Sequence, residues 1–210
     1  MPDHNTLTKL DIPHIDCPAL NVLAVLAAES ATDFGLALAG GAVRNVALGL
    51  TDPTDHDIIV FDFHPRDTPQ LAGDISSVLQ DAGYYITQVD DDEACADARV
   101  AVVIQYGHDV YPDLDVLFHP NDRSVQEVLR KHDYNINNYV VVVDDIADSE
   151  RQTAYYVGAA SQGILYRQPY QECISFDRQH HIIAIADKAG WAVPPRFRKV
   201  NGCHPDLFKG

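Results

Sequence analysis

Apolar and polar positions alternate along this chain at two periods, and the switches between them mark its elements. Residues 18–29, PALNVLAVLAAE, start on a proline and continue with good helix formers, which predicts a helix. FGLALAGG (34–41) predicts a short strand ending in glycines, and AVRNVALG (42–49) a two-turn helix closed by Gly49. TDPTD (51–55) is turn chemistry, and HDIIVFDF (56–63), β-branched and aromatic, reads as a buried strand. Leu71, Ile75, Val78 and Leu79 form a helical stripe within 69–82, and YYITQV (84–89) a strand. RVAVVIQYG (99–107) and YPDLDVLFH (111–119) are two strands joined through HDVYP, a hairpin. Residues 123–131 predict a helix, 136–145 pass from a helix-like pattern to a strand, and 177–189 form an amphipathic helix. The tail from Trp191 is Pro-rich without periodicity. The result is a mixed α+β chain in which strands 55–63, 100–106 and 113–118 share a sheet.

At 210 residues the chain suits one domain with a small appendage. Its 46% hydrophobic and 22% charged residues are those of an ordinary globular protein. No apolar run approaches the roughly 20 residues of a membrane span, so no membrane partner is expected. The first residues lack the basic start and apolar block of a signal peptide, and a cytoplasmic location is the default expectation. Cys17, Cys95, Cys173 and Cys203 lie far apart without a C-x-x-C pair, which favours reduced thiols. A net charge of −16 argues against a large nucleic-acid footprint. Against that, Arg167, Arg178, Lys188, Arg196, Arg198, Lys199 and Lys209 cluster in the last forty-odd residues, as a partner patch or a solvated face. The sequence carries no signal for an oligomeric state.

Candidate chemistry centres on the stretch GGAVRNVALGLTDPTDHDIIVF (40–61). Residues two apart on a strand share a face, so Asp55 and Asp57 project together. Adjacent carboxylates repel and raise one another's pKa unless a cation sits between them, and hard oxygen ligands favour Mg2+ or Mn2+. Asp115, inside the apolar strand YPDLDVLF, offers a third carboxylate, with Asp113 on its face as the second candidate. Gly40 and Gly41 leave backbone N–H groups and a helix N-terminus free to face an anion, and Arg44 one turn on adds a charged donor. A triphosphate on the glycine turn would share its oxygens with metals on the aspartates. A substrate hydroxyl would then attack the α-phosphate in line.

This stretch resembles the nucleotidyltransferase superfamily related to DNA polymerase β, most nearly the head domain of poly(A) polymerases and tRNA CCA-adding enzymes. That pattern is a GG turn with V-R-D, then D-x-D, and later R-R-D-F-T-x-N-A. This chain has GGAVRN at 40–45, DHD at 55–57 and KHDYNINNYV at 131–140. The resemblance covers roughly residues 34–145. It implies a nucleotidyltransferase fold with a small mixed sheet flanked by helices, a core over 1–145, and a short helical C-terminal extension over 146–210. It implies Asp55, Asp57 and Asp115 as catalytic metal ligands, with Asp133 and Asn137 shaping the ribose and phosphate pocket. His132 stands where an Arg usually contacts phosphate, Asn45 replaces an Asp and Asn135 a Thr. No E-D-x-x-R element is evident, nor length for the helical neck, body and tail that hold tRNA, so full CCA synthesis is not expected from this chain alone.

The leading expectation is therefore metal-dependent transfer of a nucleoside monophosphate from an NTP to a hydroxyl on RNA (a tRNA end included), protein or a small molecule. A nucleotide-binding regulatory module of the same fold is the alternative, and a metal phosphohydrolase using the same carboxylates a third. His180 and His181 read as helix-surface residues, Asp62 and His64 as strand-exit residues, and Tyr155 and Tyr156 as core. Arg178 is a candidate to face the nucleotide.

Overall fold

The computed structural model describes residues 7–50, 55–91, 102–143, 151–158, 163–168 and 174–198. In chain order the strands are β1 (Leu7–Pro13), β2 (Gly35–Ala39), β3 (His56–Phe61), β4 (Tyr85–Asp91), β5 (Val102–Gly107), β6 (Leu114–His119), β7 (Tyr139–Val142) and β8 (Arg151–Val157). The helices are α1 (Pro18–Glu29), α2 (Gly40–Ala47), α3 (Thr68–Asp81), α4 (Val125–Leu129), α5 (Phe176–Lys188) and α6 (Pro195–Arg198). All eight strands join one mixed sheet in the order β1-β8-β7-β2-β3-β6-β5-β4.

The centre of that sheet positions the site. β2 pairs antiparallel with β3, and β3 runs parallel to β6, which closes the expected antiparallel hairpin with β5. β3 is buried on both faces apart from Asp57, and β6 apart from Asp115 and Leu117, so their β-branched and aromatic side chains pack above and below the sheet. One face carries Leu36, Leu38, Ile58, Val60, Val116 and Phe118 into the main core, under Leu20 and Leu23 of α1, Ile75 and Leu79 of α3, and Ile182 of α5. The other face carries Ala37, Ala39, Ile59 and Phe61 against Val125, Val128 and Leu129 of α4. Because α4 has only five residues, it roofs only part of that second face.

The mixed α+β class, helices α1 to α5 and the β5–β6 hairpin stand as the residue pattern predicts, whereas the short α6 forms in the tail read as lacking periodicity. The sheet is larger than the small one expected, for two reasons. β1 carries a single buried residue, Ile12, and an edge strand of that kind gives little periodic signal. β8 lies beyond the boundary at 145 yet sits between β1 and β7. The glycines also belong to the helix rather than to the strand's end: α2 starts at Gly40, whose φ of +69° turns the chain directly out of β2. The turn at 51–54, most of the acidic stretch 90–98, Cys95, Cys173, Cys203, Lys199 and Lys209 lie outside the described residues. Among the described residues no helix is long and apolar enough to cross a membrane.

Candidate functional site

Strand register creates the site. Asp57 of β3 is the direct ladder partner of Asp115 on parallel β6, so the two carboxylates stand side by side on one face. The row continues outward: Ala39 opposes Asp57, Gln105 opposes Asp115, and Gln88 opposes Gln105. Asp57 and Asp115 are each half-buried, whereas Asp55, just before β3, and Asp113 are exposed. His56 points to the opposite face and is buried, and its backbone N–H donates to the Asp113 carbonyl at 2.9 Å.

Burial and mutual repulsion make this pair a poor place for two negative charges. The Asp57 carboxyl is pushed up to about 7, first by desolvation and then by Asp115, while the Gly41 N–H and Arg178 oppose the rise. Asp115 is also raised, chiefly by desolvation, with Asp55, Asp113 and Asp90 adding to it and a hydrogen bond from Gln105 working against it. Gly40 is obligatory here, because a Cβ at that position would fall inside the Asp57 carboxylate. The missing side chain lets the start of α2 close over Asp57 and aim the Gly41 N–H at it.

A polar chain runs from α2 to α5 beside Asp57. Arg44 is buried, its Nη1 donating to Asn137 Oδ1 at 2.8 Å and its Nε to Asn45 Oδ1 at 2.9 Å. Asn137 Nδ2 donates to Asp133 Oδ1 at 2.7 Å, and Arg178 Nε to Asp133 Oδ2 at 2.6 Å. Because guanidinium only donates and carboxylate only accepts, this chain fixes the Asn137 amide in one orientation. Burial and the nearby Arg178 charge lower Arg44 to about 10, opposed by Asp57 and Asp133, so it stays cationic at neutral pH. Burial alone would raise Asp133, but the charge and hydrogen bond of Arg178, with His132 and Asn137, hold it below the usual carboxylate range.

His132 carries no charge at neutral pH. Desolvation lowers it to about 4, and its Nδ1 lies 3.0 Å from the Asn137 carbonyl oxygen, to which the neutral ring donates. Asn135 is structural: its Nδ2 donates to the Ile164 carbonyl at 3.1 Å and its Oδ1 accepts from the Tyr166 N–H at 2.8 Å.

The structure thus brings together Gly40, Gly41, Arg44, Asp57, Asp115, His132, Asp133 and Asn137. Asp55 stays in solvent, within electrostatic reach of both carboxylates. Among the described residues no group of three His, Cys, Asp or Glu side chains stands at metal-holding spacing. The Asp57–Asp115 pair nevertheless fits a hard divalent cation, which would neutralise two oxygen donors whose proximity is otherwise costly. Gln105 was not singled out from the sequence; only the β5–β6 register places it against Asp115. His181, assigned to the helix surface, is exposed as expected, yet its pKa is lowered by desolvation and by Arg178 and Arg44, which places it beside the polar chain.

No protein-family model matches the chain. No curated protein matches it either. Its fold does match solved structures. A CCA-adding enzyme in apo form superposes with a TM-score of 0.53 at 13% identity, over 86% of this chain and 40% of that one. A tRNA-processing enzyme in apo form gives 0.52 at 16%, over 91% and 47%. The Thermotoga maritima CCA-adding enzyme complexed with tRNA gives 0.51 at 13%, over 90% and 44%. The chain spans less than half the length of these structures, and what it shares with them is the fold.

Proposed function

We propose that this protein transfers a nucleoside monophosphate from an NTP to a hydroxyl acceptor and releases pyrophosphate. The observation that carries this reading is the register that sets Asp57 against Asp115 beside the Gly40–Gly41 turn, with Arg44 and Arg178 on the same flank. Asp57 and Asp115, with Asp55 joining from solvent, would hold Mg2+ or Mn2+, which supplies charge neutralisation and Lewis acidity when bound. The start of α2 and the two guanidinium groups bind the triphosphate and orient its α-phosphorus toward the carboxylates. The acceptor oxygen bonds to that phosphorus as the bond to the bridging oxygen of pyrophosphate breaks. The hydroxyl proton passes to the Asp115 carboxylate. The acceptor is an RNA 3′ end, a tRNA end included, a protein or a small molecule. The shared fold supports the chemistry, and a cytoplasmic site of action fits a chain of this composition.

The test is incubation with labelled NTPs, Mg2+ or Mn2+, and an RNA pool or lysate. Wild type should label an acceptor and Asp57→Ala should not; equal labelling, or none from either, removes the reading. The neutral His132, turned onto the Asn137 carbonyl, favours a second reading: a nucleotide-binding regulatory module without catalysis. It predicts NTP binding with no pyrophosphate released, and pyrophosphate release abolished by Asp55→Ala would remove it.

A further inference from the structure

A buried charge cluster remains unaccounted for on the same sheet face as the carboxylate pair, at the far ends of β3 and β6. His119 closes β6, and its Nδ1 lies 3.3 Å from Asp122 Oδ2. Lys131 Nζ donates to the Asp122 carboxylate at 2.7 Å. Asp122 is 4% exposed. Burial would raise it, but the hydrogen bonds and charges of His119 and Lys131 outweigh that and hold it below the usual carboxylate range. Its backbone is fixed as well: its N–H donates to the His119 carbonyl at 3.2 Å, and its carbonyl accepts from the Asp62 N–H at 2.8 Å. Asp62, with φ of 57°, is the one described non-glycine residue at positive φ, a strained turn that delivers that contact.

We propose that Asp122 is a positioning residue for the turn that carries His132 and Asp133. Through Lys131 it fixes the chain immediately before His132 and Asp133, and so sets how Arg44 and Arg178 are presented to an NTP. This rests on the nucleotidyl-transfer reading above and deepens it. Burying the Asp122 carboxylate under a partly exposed Lys131 is an expensive way to hold two segments together, since a well-packed apolar pair often serves stability as well. What the pair adds is a single geometry, and α4 needs it: five residues form too short a helix to hold its own end. Lys131 and His132 continue that end through backbone bonds to Val128 and Leu129, at 2.9 and 3.1 Å. On the opposite side, Gln168 fastens the same turn, its N–H donating to the Asp133 carbonyl and its Nε2 to the Leu129 carbonyl, both at 2.9 Å. Asp133 is therefore aimed from two directions, and the Asp122–Lys131 pair is the fastening on the strand side. Asp57 and Asp115 lie at the opposite ends of β3 and β6, where the strand ladder itself holds them, so loss of this fastening leaves them in place.

The experiment uses the full 210-residue chain as wild type, Asp122→Asn, and the double variant Asp122→Leu/Lys131→Met, which replaces the pair by apolar groups. ATP, CTP, GTP and UTP are titrated separately with Mg2+, and Mn2+ is titrated alone, with thermal unfolding followed in parallel. Both variants should bind the preferred NTP on the order of tenfold more weakly, the scale of one charge-assisted hydrogen bond. Their Mn2+ affinity should stay within about twofold of wild type, a split that loss of fold alone does not produce. Wild-type NTP affinity in the double variant overturns the proposal, and so does a parallel loss of Mn2+ and NTP affinity. If Asp122→Asn fails to fold, the double variant decides by the same two criteria. A wild-type chain that binds no NTP removes the functional reading itself, and this proposal with it.

Discussion

Arg178 Nε donates to Asp133 Oδ2 at 2.6 Å, joining α5 to the turn after α4 across 45 residues of sequence. The same carboxylate serves Asn137 and the Tyr134 N–H, so one acidic group organises both arginines of the site. Asp133→Ala should cost about 2 kcal/mol, because it strands buried donors and leaves two neighbouring guanidinium groups without their shared counter-charge. Arg178→Ala should cost less than about 1 kcal/mol, since its side chain is 47% exposed. Urea denaturation of the two variants checks the order; equal costs would mean that Asp133 does not hold Arg44 through Asn137.

The Asp57 carboxyl has a distinct pH signature. Its folded value of about 7 lies above the ordinary 3.8, so between those values the folded state holds a proton that the unfolded state has lost. Stability should therefore fall as pH rises from about 4 to about 7, and level off above that. Asp57→Asn should remove this slope and stabilise the metal-free protein at neutral pH by on the order of 2 kcal/mol. Added Mg2+ should restore stability to wild type and not to the variant. Thermal unfolding across that range, with and without Mg2+, is the measurement, and a flat wild-type profile would contradict the assignment.

Gly40→Ala faces two penalties at once. The backbone sits at φ +69°, and the new methyl group collides with the Asp57 carboxylate. A loss of about 2–3 kcal/mol is expected, together with weakened Mn2+ binding. Gly49→Ala, at φ +68° but with open space around it, should show the conformational part of the penalty alone and keep Mn2+ affinity.

How much of this was legible in the sequence follows from what each feature depends on. The helices at Pro18, Thr68 and Phe176 announced themselves through local periodicity, as did the β-branched runs of β3 and β6. Asp57 was legible through its two-residue spacing from Asp55, and Asp115 because it interrupts an apolar strand. What escaped was relational. Nothing near Gln105 says which strand will lie opposite it, and nothing near Asn135 says that residues 164 and 166 will reach it. β1, half exposed along an edge, looks in sequence like a polar leader. The roles of Asp122 and Lys131 needed the sheet to exist first, because their meaning lies in which strand ends they bridge.

Cys17 illustrates burial acting on reactivity. It precedes α1, is buried, and accepts from the Leu20 N–H, yet desolvation pushes its thiol up to about 11. At about pH 8 it should remain thiol and resist alkylation in the native protein, then react fully in denaturant. Peptide mass spectrometry after iodoacetamide treatment reads this directly. Rapid native modification of Cys17 would show that the α1 end opens.

The pairing of β1 with β8, Leu7 against Val157, has a consequence for how the chain is made. β1 finds its ladder only once β8 has been made, so this edge of the described sheet is completed late. A nascent chain halted before residue 151 would carry an open β7 edge and an unpaired β1 segment together, and should be the stage at which chaperones engage it.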